Sequence, residues 1–431
     1  MTVTLTCKEA LRGEITVPGD KSLSHRAVIL GALAEGETEI SGFLAGRDCL
    51  STVNCLRQLG VPVVTTEDRV IVKGVGLEGL REPAGILDCG NSGTTARLLL
   101  GVLAGQPFFS VITGDESLRR RPMGRVTRPL VQMGACIAGR AQGRFLPLAV
   151  AGGRLRPVFH RTPVASAQLK SALLLAGLFA SGETVVSEPE KSRDHTERML
   201  AAFGAKVACE GTTVTIEGRP RLKGQKVNIP GDISSAAFFL VAAAITPGSE
   251  VVVREVGVNP TRAGIIDVLK EMGAELEIGG VRVESGEPVA DIRVRYSELA
   301  GTEISGSLIP RLIDELPVLA VAALFARGKT VIKDARELRV KETDRIAAVA
   351  EEVAKLGGRI VPTADGMIIE GMQALAGGTV SARGDHRMAM SLAVAALRAE
   401  GPVAITESEC TDISYPGFWQ DLAGLQKGAA G

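Results

Sequence analysis

One phrase returns six times along this chain, and the repetition limits the folds open to it. Each copy reads polar cap, apolar helix, small turn, strand. The copies begin at Lys21, Asn91, Ser166, Asp232, Asp314 and Asp385, with spacings of 70, 75, 66, 82 and 71 residues. Between them a second helical phrase ends on a glycine: LRQLG from Leu56, LVQMG from Leu130, LAAFG from Leu200, LKEMG from Leu269 and VAKLG from Val353. Glycine just past a helix takes the left-handed conformation that closes it. Short alternating segments such as Thr213–Glu217 follow and read as strands. Each unit is therefore helix, strand, helix, strand, strand.

A coarser symmetry lies above this one. Val17-Pro18-Gly19-Asp20 returns as Ile229-Pro230-Gly231-Asp232, 212 residues later. A chain of 431 residues exceeds what one core supports. Two lobes of three units are expected: residues 20–230 in one, 1–19 with 231–431 in the other. The hinge falls at about 19–20 and 230–231, and the lobes can close on each other. Hydrophobic residues make up 45% and aromatics 3%, so Ala, Leu, Val and Ile fill the cores. Helices apolar on every side are buried ones. Three such helices in equivalent settings run side by side, with their N-termini on one face of the lobe. Two facing lobes then put six electropositive helix ends around one cleft, a place for a multiply anionic ligand.

Lys plus Arg equals Asp plus Glu at 49 each, so the chain carries no charge footprint for nucleic acid or an anionic membrane. The seven cysteines (Cys7, Cys49, Cys55, Cys89, Cys136, Cys209, Cys410) show no metal-ligand spacing and read as reduced cytosolic thiols. The four histidines, His25, His160, His195 and His386, are equally dispersed. No metal site is expected. Met1–Ala10 lacks a basic-then-apolar signal pattern, and no apolar run is long enough to span a bilayer. A cytoplasmic protein is the expectation.

The cap regions hold the unusual polar residues. The first unit supplies Lys21, Ser22 and Arg26. The second supplies Asn91, Ser92, Gly93 and Thr94, a turn whose amides can approach an anion closely. It also carries Arg119, Arg120 and Arg121, of which Arg121, before Pro122, is the best held. The third supplies Ser166, Gln168 and Arg193. The fifth supplies Asp314 and then RVKETDR, with Lys341, Glu342 and Arg345. The sixth supplies Asp385, His386 and Arg387. Each has a plainer reading. PGDKSLSHR alone is equally a capped helix with a solvated Lys and Arg. Asp314 and Asp385 alone read as N-caps. RVKETDR alone reads as a solvated helix pairing Lys341 with Asp344. Their co-location at one end of every unit shifts the weight towards a site.

Seven segments then carry a resemblance: PGDKSLSHR, GNSGTTARLL, RRRPMGR, SAQLKSALL, RDHTERM, RVKETDR and GDHRMAMSLAVAAL. In this order they resemble the enolpyruvyl transferases, within them the branch acting on shikimate 3-phosphate, from about Leu11 to Leu425. The resemblance implies an α/β fold of two lobes, each of three βαβαββ repeats, with buried parallel helices whose N-termini face the interdomain cleft. It implies transfer of the enolpyruvyl group of phosphoenolpyruvate to the 5-hydroxyl of shikimate 3-phosphate. Phosphate leaves, by addition and elimination through a tetrahedral intermediate, with no cofactor. It assigns shikimate 3-phosphate to Lys21, Ser22, Arg26, Ser166, Ala167, Gln168, Arg193, Asp314 and Lys341. It assigns phosphoenolpyruvate to Lys21, Gly93, Arg121, Gln168, Arg345 and Arg387. Asp314 would be the base towards the 5-hydroxyl, and Glu342, alone or with Lys21, the acid towards the methylene carbon. A monomer is expected, as is inhibition by glyphosate at the phosphoenolpyruvate site, where Gly93 leaves room.

Two positions depart from the family pattern. Ile413 stands where many members carry Lys, and Glu337 where many carry Asn. Two other functions stay in view: enolpyruvyl transfer to UDP-N-acetylglucosamine, and a non-catalytic anion-binding repeat protein. The first usually pairs its leading Lys with Asn and carries a reactive Cys in a glycine-rich loop. Here Ser22 follows Lys21, and 115–121 contains no Cys.

Overall fold

Among the described residues six helices present almost no polar face, and each is buried along nearly its whole length. They are α1 (Lys21–Leu33), α2 (Gly93–Ala104), α3 (Ala167–Gly177), α4 (Ile233–Ile245), α5 (Leu316–Phe325) and α6 (His386–Ala396). The structure, a computed structural model, describes residues 1–6, 9–66 and 69–428. Cys7 lies outside the described residues, and the other six cysteines form no disulfide. The intervening helices, such as Arg47–Gln58 and Arg345–Lys355, are two-faced and cover the cores from outside. All five expected helix-ending glycines, Gly60, Gly134, Gly204, Gly273 and Gly357, adopt positive φ, between 81° and 106°.

Among the described residues six small sheets accompany the six core helices, five of four strands and one of three. In each, the strand after the core helix lies in the middle. Glu183–Ser187 runs parallel to Phe159–Arg161, before α3, and antiparallel to Thr213–Glu217. The parallel pair needs a crossover, and the buried helix is that crossover. Two repeats borrow their leading strand. Lys226–Asn228 pairs in parallel with Glu35–Ser41 of the first repeat, and Arg12–Thr16 with Glu250–Gly257 of the fourth.

The sixth repeat differs from the expected pattern. Its central strand, Val403–Thr406, lies between Gly378–Ser381 and Thr2–Leu5, so the chain's own start fills the fourth-strand slot. In place of a second helix and hairpin come the turn Ser408–Ile413 and the helix Phe418–Lys427. The physical reason is aromatic packing. Tyr415, Phe418 and Trp419 form a cluster with Phe238 and Phe239 of α4, at centroid distances of 5.1 to 6.1 Å.

The chain divides into two units. One is Gly19–Ile229 with Glu284–Glu287; the other is Met1–Pro18, Pro230–Val283 and Pro288–Gly431. The first unit has α1, α2 and α3 in its core, the second α4, α5 and α6. Close approach inside the first is set by Gly101 of α2, where an added Cβ would lie 2.2 Å from the Ala172 carbonyl oxygen of α3. No helix of the described residues is long and apolar enough to cross a membrane.

Candidate active site

In the first unit the opening turns of α1, α2 and α3 are tied together by polar side chains. Asp20 caps α1, accepting from Leu23 N at 2.9 Å. Beside it Lys21 Nζ lies 3.3 Å from Asp48 Oδ2. Arg26 is 4% exposed and spends three of its N–H donors on Ser22 O (2.8 Å), Ser171 Oγ of α3 (2.8 Å) and Thr196 Oγ1 (2.6 Å). A guanidinium carries five such donors, so capacity for an anion remains. Burial pulls Arg26 down to about 10, against the pull of Glu197 and Asp20, and leaves it charged at neutral pH.

Ser92 caps α2, accepting from Thr95 N at 3.1 Å, and Gly93 is its first residue. Asn91 Oδ1 accepts from Arg121 Nη2 at 2.6 Å, and Ser117 Oγ from the same nitrogen at 3.2 Å. Arg121 is buried while Arg119 and Arg120 are exposed, so one arginine of the three is held inward. Ser166 caps α3. Gln168 donates to Thr94 Oγ1 (3.0 Å) and accepts from Arg97 Nη1 (2.6 Å), which joins α2 to α3. Ser22, Ser166, Ala167, Gln168 and Arg193 are half-buried.

The buried chain behind these groups runs from His25 Nδ1 to Thr52 Oγ1 (2.7 Å), on to Thr95 Oγ1 (2.6 Å) and to Ser92 Oγ (2.7 Å). Burial, with Lys21 and Arg26 nearby, holds His25 well below its ordinary 6.5, so the imidazole is neutral.

The second unit builds a different cluster. Asp232 caps α4 and takes Arg262 Nη2 at 3.1 Å. Arg262 also donates to Ser234 Oγ at 2.5 Å and lies 3.5 Å from Glu315 Oε1. Glu315, and not Asp314, stands at the cap position of α5, and it makes no capping bond. Asp314 is thereby not a cap. Its Oδ1 accepts from Lys341 Nζ at 3.1 Å and Arg345 Nη1 at 3.2 Å. Arg345, 1% exposed, also pairs with Asp385 Oδ2 (2.8 Å) and Glu342 Oε2 (2.7 Å). Burial opposes its charge, but Asp385 and Glu342 outweigh burial and raise its pKa. Asp385 does cap α6, accepting from Arg387 N at 2.9 Å. Arg387 Nη1 donates to Asp314 O at 3.2 Å and lies 3.6 Å from Glu315 Oε1. Asp314, Lys341, Glu342, Arg345 and Arg387 therefore meet in one network. Asp344, the partner that helix spacing gives Lys341, instead caps the helix Arg345–Lys355 and takes Arg339 at 2.6 Å.

Sequence reasoning missed Arg97, Arg262 and Glu315. Arg97 had a signal, since it lies four residues after Gly93 on the same helix face. Arg262 had none, because its partners are 28 to 53 residues away in the chain. Of the two departures, Ile413 packs beside Ala382, Ala389 and Cys410, and Glu337 is half-buried in the turn Arg336–Val340.

A family model described as EPSP synthase (3-phosphoshikimate 1-carboxyvinyltransferase) matches residues 5–422. A relative from Pelotomaculum thermopropionicum named 3-phosphoshikimate 1-carboxyvinyltransferase is 61% identical over 415 residues, 96% of each chain. Another of that name from Desulforamulus reducens is 59% identical over 409 residues, 95% of each chain. The structure of EPSP synthase from Acinetobacter baumannii matches with a TM-score of 0.87 at 46% identity, covering 98% of this chain and 97% of that one. The enolpyruvyl transferase NikO from Streptomyces tendae, at 17% identity and TM-score 0.78 over 98% and 96% of the chains, shares the fold.

Proposed function

The chain belongs to the EPSP synthase (3-phosphoshikimate 1-carboxyvinyltransferase) family, and from that premise we propose how its two clusters divide the reaction. The activity is transfer of the enolpyruvyl group of phosphoenolpyruvate to the 5-hydroxyl of shikimate 3-phosphate, with release of phosphate, in the shikimate pathway. The first cluster holds shikimate 3-phosphate, its phosphate on Ser166, Ala167, Gln168 and Arg193 and the remainder on Lys21, Ser22 and Arg26. Phosphoenolpyruvate lies against Lys21, Gly93, Arg121, Gln168, Arg345 and Arg387, whose cations match its carboxylate and phosphate.

The second cluster carries the proton chemistry. Asp314 takes the 5-hydroxyl proton as that oxygen bonds to C2 of phosphoenolpyruvate, with Lys341 beside the same hydroxyl. Glu342, with Lys21, delivers a proton to the methylene carbon. The tetrahedral adduct then loses a proton from that carbon, and the C2–O bond to phosphate breaks. Closure of the lobes about 19–20 and 230–231 would keep water from the adduct; a radius of gyration unmoved by both substrates would count against it.

One observation carries this reading: Asp314 is positioned by two cations, with Glu342 on the same guanidinium as Asp314 and Asp385. A cap or a solvated helix would not need that arrangement. The test is phosphate release from phosphoenolpyruvate. Release should require shikimate 3-phosphate; release with UDP-N-acetylglucosamine in its place would favour the sister reaction, and no release would favour a binding protein. The enzyme should sediment as a monomer, and a concentration-independent dimer would remove that part.

A further inference from the structure

The third repeat buries a lysine in its core helix. Lys170 lies in α3 among Leu169, Ala172 and Leu173 and is 1% exposed. Its ammonium meets Glu188 Oε2 at 2.8 Å, Glu197 Oε1 at 2.8 Å and the Ser192 carbonyl at 3.3 Å. An ammonium has three donors and no acceptor, so these three contacts occupy it. It cannot also reach a substrate.

One of its two carboxylate partners reaches the site on its behalf. Glu188 Oε1 accepts from Ser166 N at 2.8 Å, and the same carboxylate takes the Ser192 hydroxyl at 2.7 to 2.8 Å and Ser192 N at 3.3 Å. One carboxylate therefore fixes the cap of α3 and the residue before Arg193. Glu197 extends the cluster, since the neighbouring Thr196 hydroxyl accepts from Arg26 and lies 2.6 Å from Ser171 Oγ. Lys170 cancels, at contact distance, one of the two negative charges that Glu188 and Glu197 bring. Stability alone does not call for such a cluster. A buried ion pair is often matched by apolar packing of the same volume, whereas removing one partner strands a charge.

We propose that Lys170 is a positioning residue for shikimate 3-phosphate: through Glu188 it sets Ser166 and the Ser192–Arg193 segment, and it cancels a negative charge that would repel the phosphate. The inference rests on the assignment of Ser166 and Arg193 to that phosphate. Lys170 stands clear of the proton chemistry, so its loss should separate KM from kcat.

The experiment is steady-state kinetics on folded variants. Lys170→Met should raise KM for shikimate 3-phosphate about tenfold or more, with KM for phosphoenolpyruvate within about twofold and kcat within about threefold. Lys170→Met/Glu197→Gln removes opposite charges together and keeps Glu188 on Ser166 N; it should bring that KM back to within about threefold of the parent. A KM unmoved in Lys170→Met, with only the melting temperature lowered, overturns the proposal. If Lys170→Met does not fold, Ser192→Ala takes its place, losing one hydroxyl from Glu188 and no charge. It should raise the same KM several-fold, and an unchanged value overturns the proposal. Ser166→Ala and Arg193→Gln serve as controls. If neither moves that KM, the phosphate assignment itself fails; if they do and Lys170→Met does not, only the role of Lys170 fails.

Discussion

The two units share a repeat but fill its polar end differently. In the first, the guanidinium groups near the caps meet hydroxyl and amide oxygens: Arg26 meets Ser22, Ser171 and Thr196, Arg97 meets Gln168, and Arg121 meets Asn91 and Ser117, while Lys170 behind them meets Glu188 and Glu197. In the second, Arg262, Arg345, Arg387 and Lys341 meet Asp232, Asp314, Glu315, Glu342 and Asp385. Neutral oxygens orient a cation without cancelling it, so the first cluster keeps charge for an incoming anion. Carboxylates do cancel it, and they give the second cluster groups able to accept or donate a proton. The proposed division of the reaction follows from this difference, with most of the binding assigned to the first cluster and most of the proton chemistry to the second.

The largest effect that would break this contrast is on stability. Arg345→Met strands Asp385, Asp314 and Glu342 around a buried hole and should cost about 3–5 kcal/mol in urea unfolding. A loss below about 1 kcal/mol would mean that those carboxylates do not depend on it. Next is Arg26→Gln, which should raise KM for shikimate 3-phosphate roughly 30-fold, the scale of one charge-assisted contact, and spare phosphoenolpyruvate. An equal rise for both substrates would blur the division.

His25 sharpens the comparison through pH. Its folded form stays neutral, while the unfolded imidazole binds a proton below about 6.5. The unfolded state then holds more protons in acid, so stability falls as pH drops. Between pH 7.5 and 5.5 this residue should account for about 1.4 kcal/mol, and His25→Asn should flatten the slope by that amount. An unchanged slope would argue that His25 takes up its proton in the folded state.

The smallest effect concerns Gly93, where a Cβ would sit 2.7 Å from Arg97 Nη1. Glyphosate should compete with phosphoenolpyruvate in the parent enzyme, and Gly93→Ala should weaken both by about fivefold as Arg97 gives way. Inhibition that ignores phosphoenolpyruvate concentration would remove this site assignment.

Much of the architecture was legible because local chemistry dictates it. The five closing glycines take positive φ since other residues resist it, and Asp20, Ser92, Ser166, Asp232 and Asp385 all cap as their residue types prefer. The sixth repeat was not legible. Only tertiary packing says that Thr2–Leu5 completes its sheet and that Phe418 turns against α4. Site residues obeyed the same rule. Arg121 could be chosen from three arginines by its proline, but the use of Asp314 depends on Lys341 and Arg345, which lie 27 and 31 residues away. A carboxylate beside a helix start looks like a cap until its partners are known.

The division of labour is tested most directly by the dissociation constant of shikimate 3-phosphate on Asp314→Ala protein, set beside its turnover. The account predicts a constant within about tenfold of the parent while kcat falls roughly 100-fold or more. Binding lost in step with turnover would contradict it, and would return Asp314 to the role of scaffold.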